Sequence, residues 1–261
     1  MLKNSSAIIL AAGLGTRLSP KLNGGPKCLV PVHGRPLLGH IIGTLLEKNV
    51  REIVVVVGHL HQQVRDYCES EFPDSSIKFS YNPAYASTGT AESVQCGLRD
   101  MTGQEDLILI EGDTLFEGAV LERLFADSGM GATALSRYRP DLSGTFALID
   151  SNGKVKDWVH EKVRPLDFPL EKGYKTVNIT RFSKAAISAY LLQSLKSAIE
   201  EYGRTSPFEH AARKCIREMG MSMDGVEVSD CKWYEVDTPE DLEAAERIFT
   251  PSLSSNGLPR K

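Results

Sequence analysis

The feature that most constrains this chain is an alternation in its first half. Short apolar, β-branched runs at 7–10, 53–57, 77–81, 107–110 and 132–136 are separated by stretches with helical spacing, at about 37–48, 62–69, 91–99 and 119–127. Continuous apolar strands with amphipathic helices between them predict a parallel sheet covered on both faces. Right-handed crossovers then give an α/β three-layer sandwich with a mostly parallel, Rossmann-like sheet, whose ligands sit at the carboxyl ends of the strands. The pattern changes after about residue 140. Runs at 145–149 and 155–159 flank Asp150-Ser151-Asn152-Gly153, which predicts a small antiparallel hairpin insertion. Helices are expected over 184–202 and 207–219, a strand over 226–228 and a strand-like segment over 233–236. A last helix follows, capped by Thr238, with Pro239 at its first position and Glu240 and Asp241 in its first turn. Without repeats or a long linker, the expectation is a single domain over 1–250, with a Ser/Pro/Gly-rich flexible tail over 251–261.

Charge and cysteine usage exclude several classes of function. The formal net charge is −4 with both signs interspersed, so neither a nucleic-acid footprint nor a membrane-binding stripe is expected. Any cations that matter must be a few placed residues. The five cysteines (Cys28, Cys68, Cys96, Cys215 and Cys231) are scattered and form no CxxC, which predicts reduced thiols in a cytoplasmic protein. The apolar run near the N-terminus is too short for a signal peptide, and 53–57 is far too short to span a bilayer. His59 and His61 lie in a strand-to-helix connection with no third ligand nearby, so no metal role is expected for them; Trp158 and Trp233 read as packing residues.

The stretch IILAAGLGTRLSP runs a strand into a glycine loop, which points to phosphate. A Rossmann fingerprint would need a third glycine where Leu18 stands, and an acidic residue after the next strand, which instead ends in Gly58-His59. A Walker A string is absent. What remains is a loop with Arg17 inside it and Lys27 beyond it, preceded by Pro26. Backbone N–H groups of such a loop can cradle a polyphosphate while two cations offset its charge. That is excessive for a dinucleotide and suits the triphosphate of an NTP whose pyrophosphate must leave.

LAAGLGTR followed by PKCLVPVHGRPLLGHII resembles the start of a nucleotidyltransferase of the sugar-1-phosphate type, with its pattern LAAGxGxR…PK, and the resemblance extends through EGDTLF at 111–116 and WYEVDTPEDL at 233–242. It implies an enzyme that joins an NTP to a phosphate-bearing acceptor with Mg²⁺ and releases pyrophosphate. On it, Leu10, Ala11, Ala12, Gly13 and Gly15 bind the nucleotide, Arg17 and Lys27 act in catalysis, and a nucleotide-binding half over about 1–140 precedes an acceptor-binding half over about 141–250. Asp113 follows the strand 107–110 and Asp237 closes the last strand-like segment. Taken singly, the first reads equally as a strand-end turn residue and the second as a helix N-terminal anion. Together with the loop they supply the one or two carboxylates that Mg²⁺ takes beside phosphate oxygens. The family resemblance also places Thr88, Gly89, Thr90 and Ala91 against the nucleobase, although Thr88 or Thr90 reads as well as the N-cap of the next helix.

For the acceptor, YKTVNITRFSKA at 174–185 and the WYEVDTPEDL ending resemble the phosphocholine and phosphonate cytidylyltransferases. The resemblance implies CTP and a small phosphonate, or a phosphocholine-like phosphate. One stretch, Ser87 to Ala91, is closer to the hexose-type enzymes. Lys162, Arg164, Lys175 and Arg181 are near in sequence and can grip an anion; Arg181 and Lys162 are the expected pair, with Asn178 as polar partner. A sugar-1-phosphate nucleotidyltransferase is the alternative enzyme, a nucleotide-binding regulator the non-enzyme alternative, and a homodimer is compatible with either.

Overall fold

A computed structural model describes residues 2–250 apart from 23, 104 and 127–128, so the expected tail, and the last residue of the helix expected over 119–127, lie outside the described residues. The strands are β1 (Ser5–Ala11), β2 (Pro31–Val32), β3 (Arg35–Pro36), β4 (Glu52–Val57), β5 (Ile77–Tyr81), β6 (Asp106–Glu111), β7 (Thr114–Phe116), β8 (Gly131–Arg137), β9 (Phe146–Ile149), β10 (Val155–Val159), β11 (Tyr174–Phe182), β12 (Met223–Glu227) and β13 (Trp233–Glu235). The helices are α1 (Leu37–Glu47), α2 (His61–Glu71), α3 (Thr90–Asp100), α4 (Gly118–Leu124), α5 (Lys184–Ala186), α6 (Leu192–Tyr202), α7 (Phe208–Arg217) and α8 (Pro239–Ile248). A π-helical stretch, Ile187–Leu191, joins α5 to α6, so the expected helix over 184–202 is one continuous run with a widened turn.

Nine strands form the central sheet. Its spine runs β10-β9-β11-β6-β1-β4-β5, with β8 and β12 joined beside β11. The pairs β6–β1, β1–β4 and β4–β5 are parallel, as the alternation predicts. The expected strand over 132–136 is β8, but it does not continue the parallel series. It reaches the sheet through β11, which is antiparallel to both β6 and β8 and was not anticipated as a strand. The hairpin is present as β9–β10, with Gly153 at φ +74° in its turn.

Burial explains the layers. All six residues of β4 are buried, and their side chains alternate between faces: Ile53, Val55 and Val57 join α1, α2 and α4 on one side, while Val54 and Val56 join α3, α6 and α7 on the other. A smaller cluster of Leu18, Val30, Leu37, Leu115, Val236 and Ala245 packs α8 beside the glycine loop. The α8 cap is as expected: Thr238 and Asp241 form a reciprocal capping box, with Pro239 at the first position. No helix among the described residues is long and apolar enough to cross a membrane.

At the amino end of β4, Glu52 is 7% exposed and accepts hydrogen bonds from Lys78 Nζ (2.6 Å), Thr102 N (3.1 Å), Thr102 Oγ1 (2.8 Å) and Gly103 N (2.8 Å). Burial alone would raise its pKa, but those donors outweigh it and hold the carboxyl at about 2. The folded value lies below the unfolded one of about 4.3, so the stabilisation is complete above that pH and fades as pH falls toward about 2. Glu52→Gln should therefore cost about 1–3 kcal/mol at neutral pH and clearly less near pH 3. Urea unfolding at the two pH values checks this; an equal loss at both contradicts it.

Candidate active site

The site is built at the carboxyl ends of β1 and β6, where a parallel sheet opens a crevice. β6 ends at Glu111, Gly112 and Asp113 follow in a turn, and the backbone of Gly112 donates to Leu10 O of β1 at 2.9 Å. A Cβ at Gly112 would lie 2.6 Å from that carbonyl, so only glycine lets the two strand ends meet so closely. Asp237, far away in sequence, arrives through a short antiparallel ladder. β13 pairs with β7, with Glu235 opposite Thr114, and Val236 N continues it by donating to Asp113 O at 2.9 Å. The ladder sets Asp237 beside Asp113.

Lys27 joins them. Its ammonium lies 2.5 Å from Asp113 Oδ2 and 2.5 Å from Asp237 Oδ1, and Arg17 reaches the same Asp237 oxygen at 3.0 Å. Burial alone would lower the Lys27 pKa; the two carboxylates outweigh it and raise the group well above the usual lysine range. Gly15 has φ +64°, and a Cβ there would sit 2.6 Å from Lys27 Cβ, so the loop needs glycine both for its turn and for the lysine stem beside it. Gly13 has nothing within 4 Å of its Cβ position, leaving open space over the loop. All four residues predicted for catalysis and metal binding thus meet at one place.

Two further carboxylates are there. Oxygens of Glu111, Asp113 and Glu235 lie within 4.8 Å of one another. Sequence reasoning missed Glu111 and Glu235, yet each stands two residues before a predicted aspartate, the spacing that keeps side chains on one side of an extended chain. Burial, then the neighbouring charges of Asp113, Glu209 and Glu235, pushes the Glu111 pKa well up. Burial likewise raises Glu235, and Asp113 and Asp237 add to it against the opposing charge of Lys175. Asp113 Oδ1 is buried without a hydrogen-bond partner among the described residues. An orphaned carboxylate oxygen in an all-oxygen donor set fits a hard divalent cation.

The segment expected against the base is tied to the loop before α7. Gly89 N donates to Arg204 O (2.8 Å), Ala91 N donates to Ser206 O (3.2 Å), and Thr90 Oγ1 accepts from Phe208 N (2.7 Å). A Cβ at Gly89 would lie 2.2 Å from Ser206 O. The N-cap of α3 is Gly89, with no side-chain cap, rather than either threonine. Thr88 Oγ1 bonds Ala84 O and accepts from Asn82, and Ala91 is buried; of the four, Thr90 borders the cleft. Ala11 and Ala12 are buried under the loop, and Ala12 O accepts from His59 N at 3.2 Å.

The cleft has a volume of about 230 Å³ and, besides the residues above, is lined by Lys175, Asn178, Thr145, His160, Glu161 and Glu209. Asn178 sits in a bulge of β11, where the register shifts between Thr176 and Thr180, with φ +61°, and its Oδ1 accepts from Thr176 Oγ1 at 3.1 Å. The expected arginine is elsewhere. Arg181 is 1% exposed and donates to Leu124 O, Gly129 O and Asp106, at the amino end of β6. Because β11 runs antiparallel to β6, each step past Asn178 moves away from the cleft. Lys162 is exposed on the turn after His160 and does not border the cleft. Arg164 packs over the Phe146 ring and donates to Gly144 O. Of the four cations considered for the acceptor, Lys175 is the one that borders the cleft; it is 3% exposed and donates to Glu235 Oε2 at 3.0 Å and Thr176 O at 2.9 Å.

The chain is similar to several known proteins. The CMP-5'-(3-aminopropyl)phosphonate synthase of Streptomyces rubellomurinus is 35% identical over 94% of this chain, which spans 39% of that protein's length. The choline-phosphate cytidylyltransferase of Streptococcus pneumoniae is 25% identical over 93% of this chain and 97% of its own. The inositol-1-phosphate CTP transferase from T. maritima shares the fold, with a TM-score of 0.75, 18% identity, and coverage of 94% of this chain and 96% of that one. The model of the MobA-like NTP transferase domain matches residues 7–164, a stretch that holds the glycine loop, Lys27 and the first aspartate, and the chain belongs to that family.

Proposed function

We propose that the protein is a Mg²⁺-dependent cytidylyltransferase that transfers CMP from CTP to a small phosphonate or phosphate acceptor and releases pyrophosphate. The observation that carries this reading is the meeting of Arg17 and Lys27 with Asp113 and Asp237 beside the glycine loop. The names of the two relatives support cytosine and a small anionic acceptor. Asp113 and Asp237 would hold the ion, with Glu111 and Glu235 next to them. When bound, Mg²⁺ supplies charge neutralisation at the phosphates.

The chain's own part is positioning. The loop from Gly13 to Arg17 offers backbone N–H groups to the triphosphate, and Lys27 and Arg17 offset the charge that develops on the departing pyrophosphate. An acceptor oxygen attacks the α-phosphorus in line, and the bond to pyrophosphate breaks. A phosphate monoester acceptor, with a second pKa of about 6, is largely dianionic at neutral pH and needs no strong general base, and a phosphonate, though a somewhat weaker acid, already carries an anionic oxygen to attack with. Lys175 and Asn178 are placed to orient it. Pyrophosphate release measured across four NTPs with phosphonates, phosphocholine and hexose phosphates tests the reading. Release with CTP and a phosphonate is expected; release with a hexose 1-phosphate alone overturns it in favour of a sugar nucleotidyltransferase, and no release at all favours a regulator.

The far side of the cleft suits an amino group on the acceptor. Glu209 accepts from Thr145 Oγ1 at 2.9 Å and Glu161 from Gly144 N at 3.0 Å, and neither forms an ion pair among the described residues. Glu209→Gln should raise KM for an aminoalkyl phosphonate by about 10-fold, the scale of one charged hydrogen bond, and leave an alkyl phosphonate of equal length nearly unaffected. Steady-state kinetics on the pair of acceptors decides it.

A further inference from the structure

The two carboxylates assigned above to a divalent ion already carry a cation. The Lys27 ammonium bridges Asp113 Oδ2 and Asp237 Oδ1 at 2.5 Å each, and Arg17 adds a third contact to Asp237. The Lys27 side chain is only 14% exposed, so water screens the arrangement weakly. A divalent ion arriving alone has two courses. It can displace the ammonium, which then loses two charge-assisted contacts and lies half-buried without a partner, or it can share the carboxylates and meet strong like-charge repulsion at short range. Both weaken binding.

A triphosphate changes the balance. The Lys27 stem lies against Gly15 of the loop, where a Cβ would come 2.6 Å from Lys27 Cβ, so a triphosphate on that loop would compete with the aspartates for the ammonium. Building on the nucleotidyltransferase reading, we infer that Lys27 is a placeholder cation, which keeps free divalent metal off Asp113 and Asp237 until a bound triphosphate draws the ammonium away. Metal and nucleotide binding are then positively coupled, each strengthening the other by the same factor.

The test uses Mn²⁺, an oxygen-seeking ion with an EPR signal when free, titrated into the full chain without acceptor. Wild type should bind Mn²⁺ alone weakly. Lys27→Met, which removes the charge and keeps the stem, should bind Mn²⁺ alone at least about 10-fold more tightly, equivalent to about 1.4 kcal/mol. Adding Asp113→Asn to that variant should abolish the gain. Equal Mn²⁺ affinity in wild type and Lys27→Met, or a gain that survives Asp113→Asn, overturns the inference. If Lys27→Met does not fold, wild type alone decides. Mn²⁺ affinity should then rise at least about 10-fold with CTP present, after the free Mn²⁺–CTP complex is accounted for, and an unchanged affinity overturns the inference. The Mn²⁺-only arm involves neither base nor acceptor, so its failure is distinct from a failure of the pyrophosphate assay.

Discussion

Asp113→Asn is expected to lower pyrophosphate release by about 10³-fold or more without lowering the melting temperature. The rate loss follows from position. Asp113 is the carboxylate whose second oxygen is buried without a partner among the described residues, and on the proposed reading it stands where the phosphates and the ion would meet. Removing one group aimed at charge that develops in the transition state costs about 10²–10³-fold in comparable sites, and loss of a metal ligand adds to that. The stability argument runs the other way. Asp113 is among the charges that push both Glu111 and Glu235 upward, so neutralising it relieves repulsion in the apo protein. Lys27 keeps Asp237 as a partner. A variant with near-normal turnover in Mg²⁺ would sink the metal assignment, and one that melts far below wild type would show that Asp113 is instead a structural ion-pair partner.

Arg181→Leu should do the reverse. The guanidinium is buried, with bonds to Leu124 O (3.0 Å), Gly129 O (2.9 Å) and Asp106 (3.1 Å), over the Phe125 ring. Deleting it strands two carbonyls and leaves Asp106 without its cation; removing one member of such a buried pair costs about 3–5 kcal/mol. For a chain of this size that lowers the melting temperature by roughly 6–15 °C. KM for the acceptor, measured well below the transition, should stay within about twofold, because a residue this far from the cleft makes no contact that distinguishes bound from free acceptor. A tenfold rise in KM with an unchanged melting temperature would return Arg181 to the acceptor site.

These two substitutions also mark where sequence reasoning succeeds. Asp113 was legible because its address is local: an apolar strand ends at Ile110, and three residues later an aspartate stands at the crevice. The same holds for the glycine loop with Arg17 and Lys27, and for Thr238 and Pro239 opening α8, where backbone preference alone decides. Arg181 was misread because Lys162, Arg164, Lys175 and Arg181, all within twenty residues, look alike in sequence. Which one faces the cleft depends on the direction of β11, on its bulge at Asn178 and on a register set by partners outside the segment. Lys175 rather than Arg181 is at the cleft for that reason, and Lys162 is turned to solvent.

By itself, then, the sequence determined the alternation that builds a parallel sheet, the loop that terminates β1, and the two strand-end aspartates, since each rests on interactions between residues close along the chain. The tertiary structure decided the rest. The β7–β13 ladder carries Asp237 to Asp113, burial and the crowding around Asp113 push the Glu111 and Glu235 carboxyls upward, and the antiparallel course of β11 chooses which of the four expected acceptor cations meets the cleft. Those depend on contacts between segments more than a hundred residues apart in the first case and on burial in all three, and neither distance nor burial is written in local sequence preference.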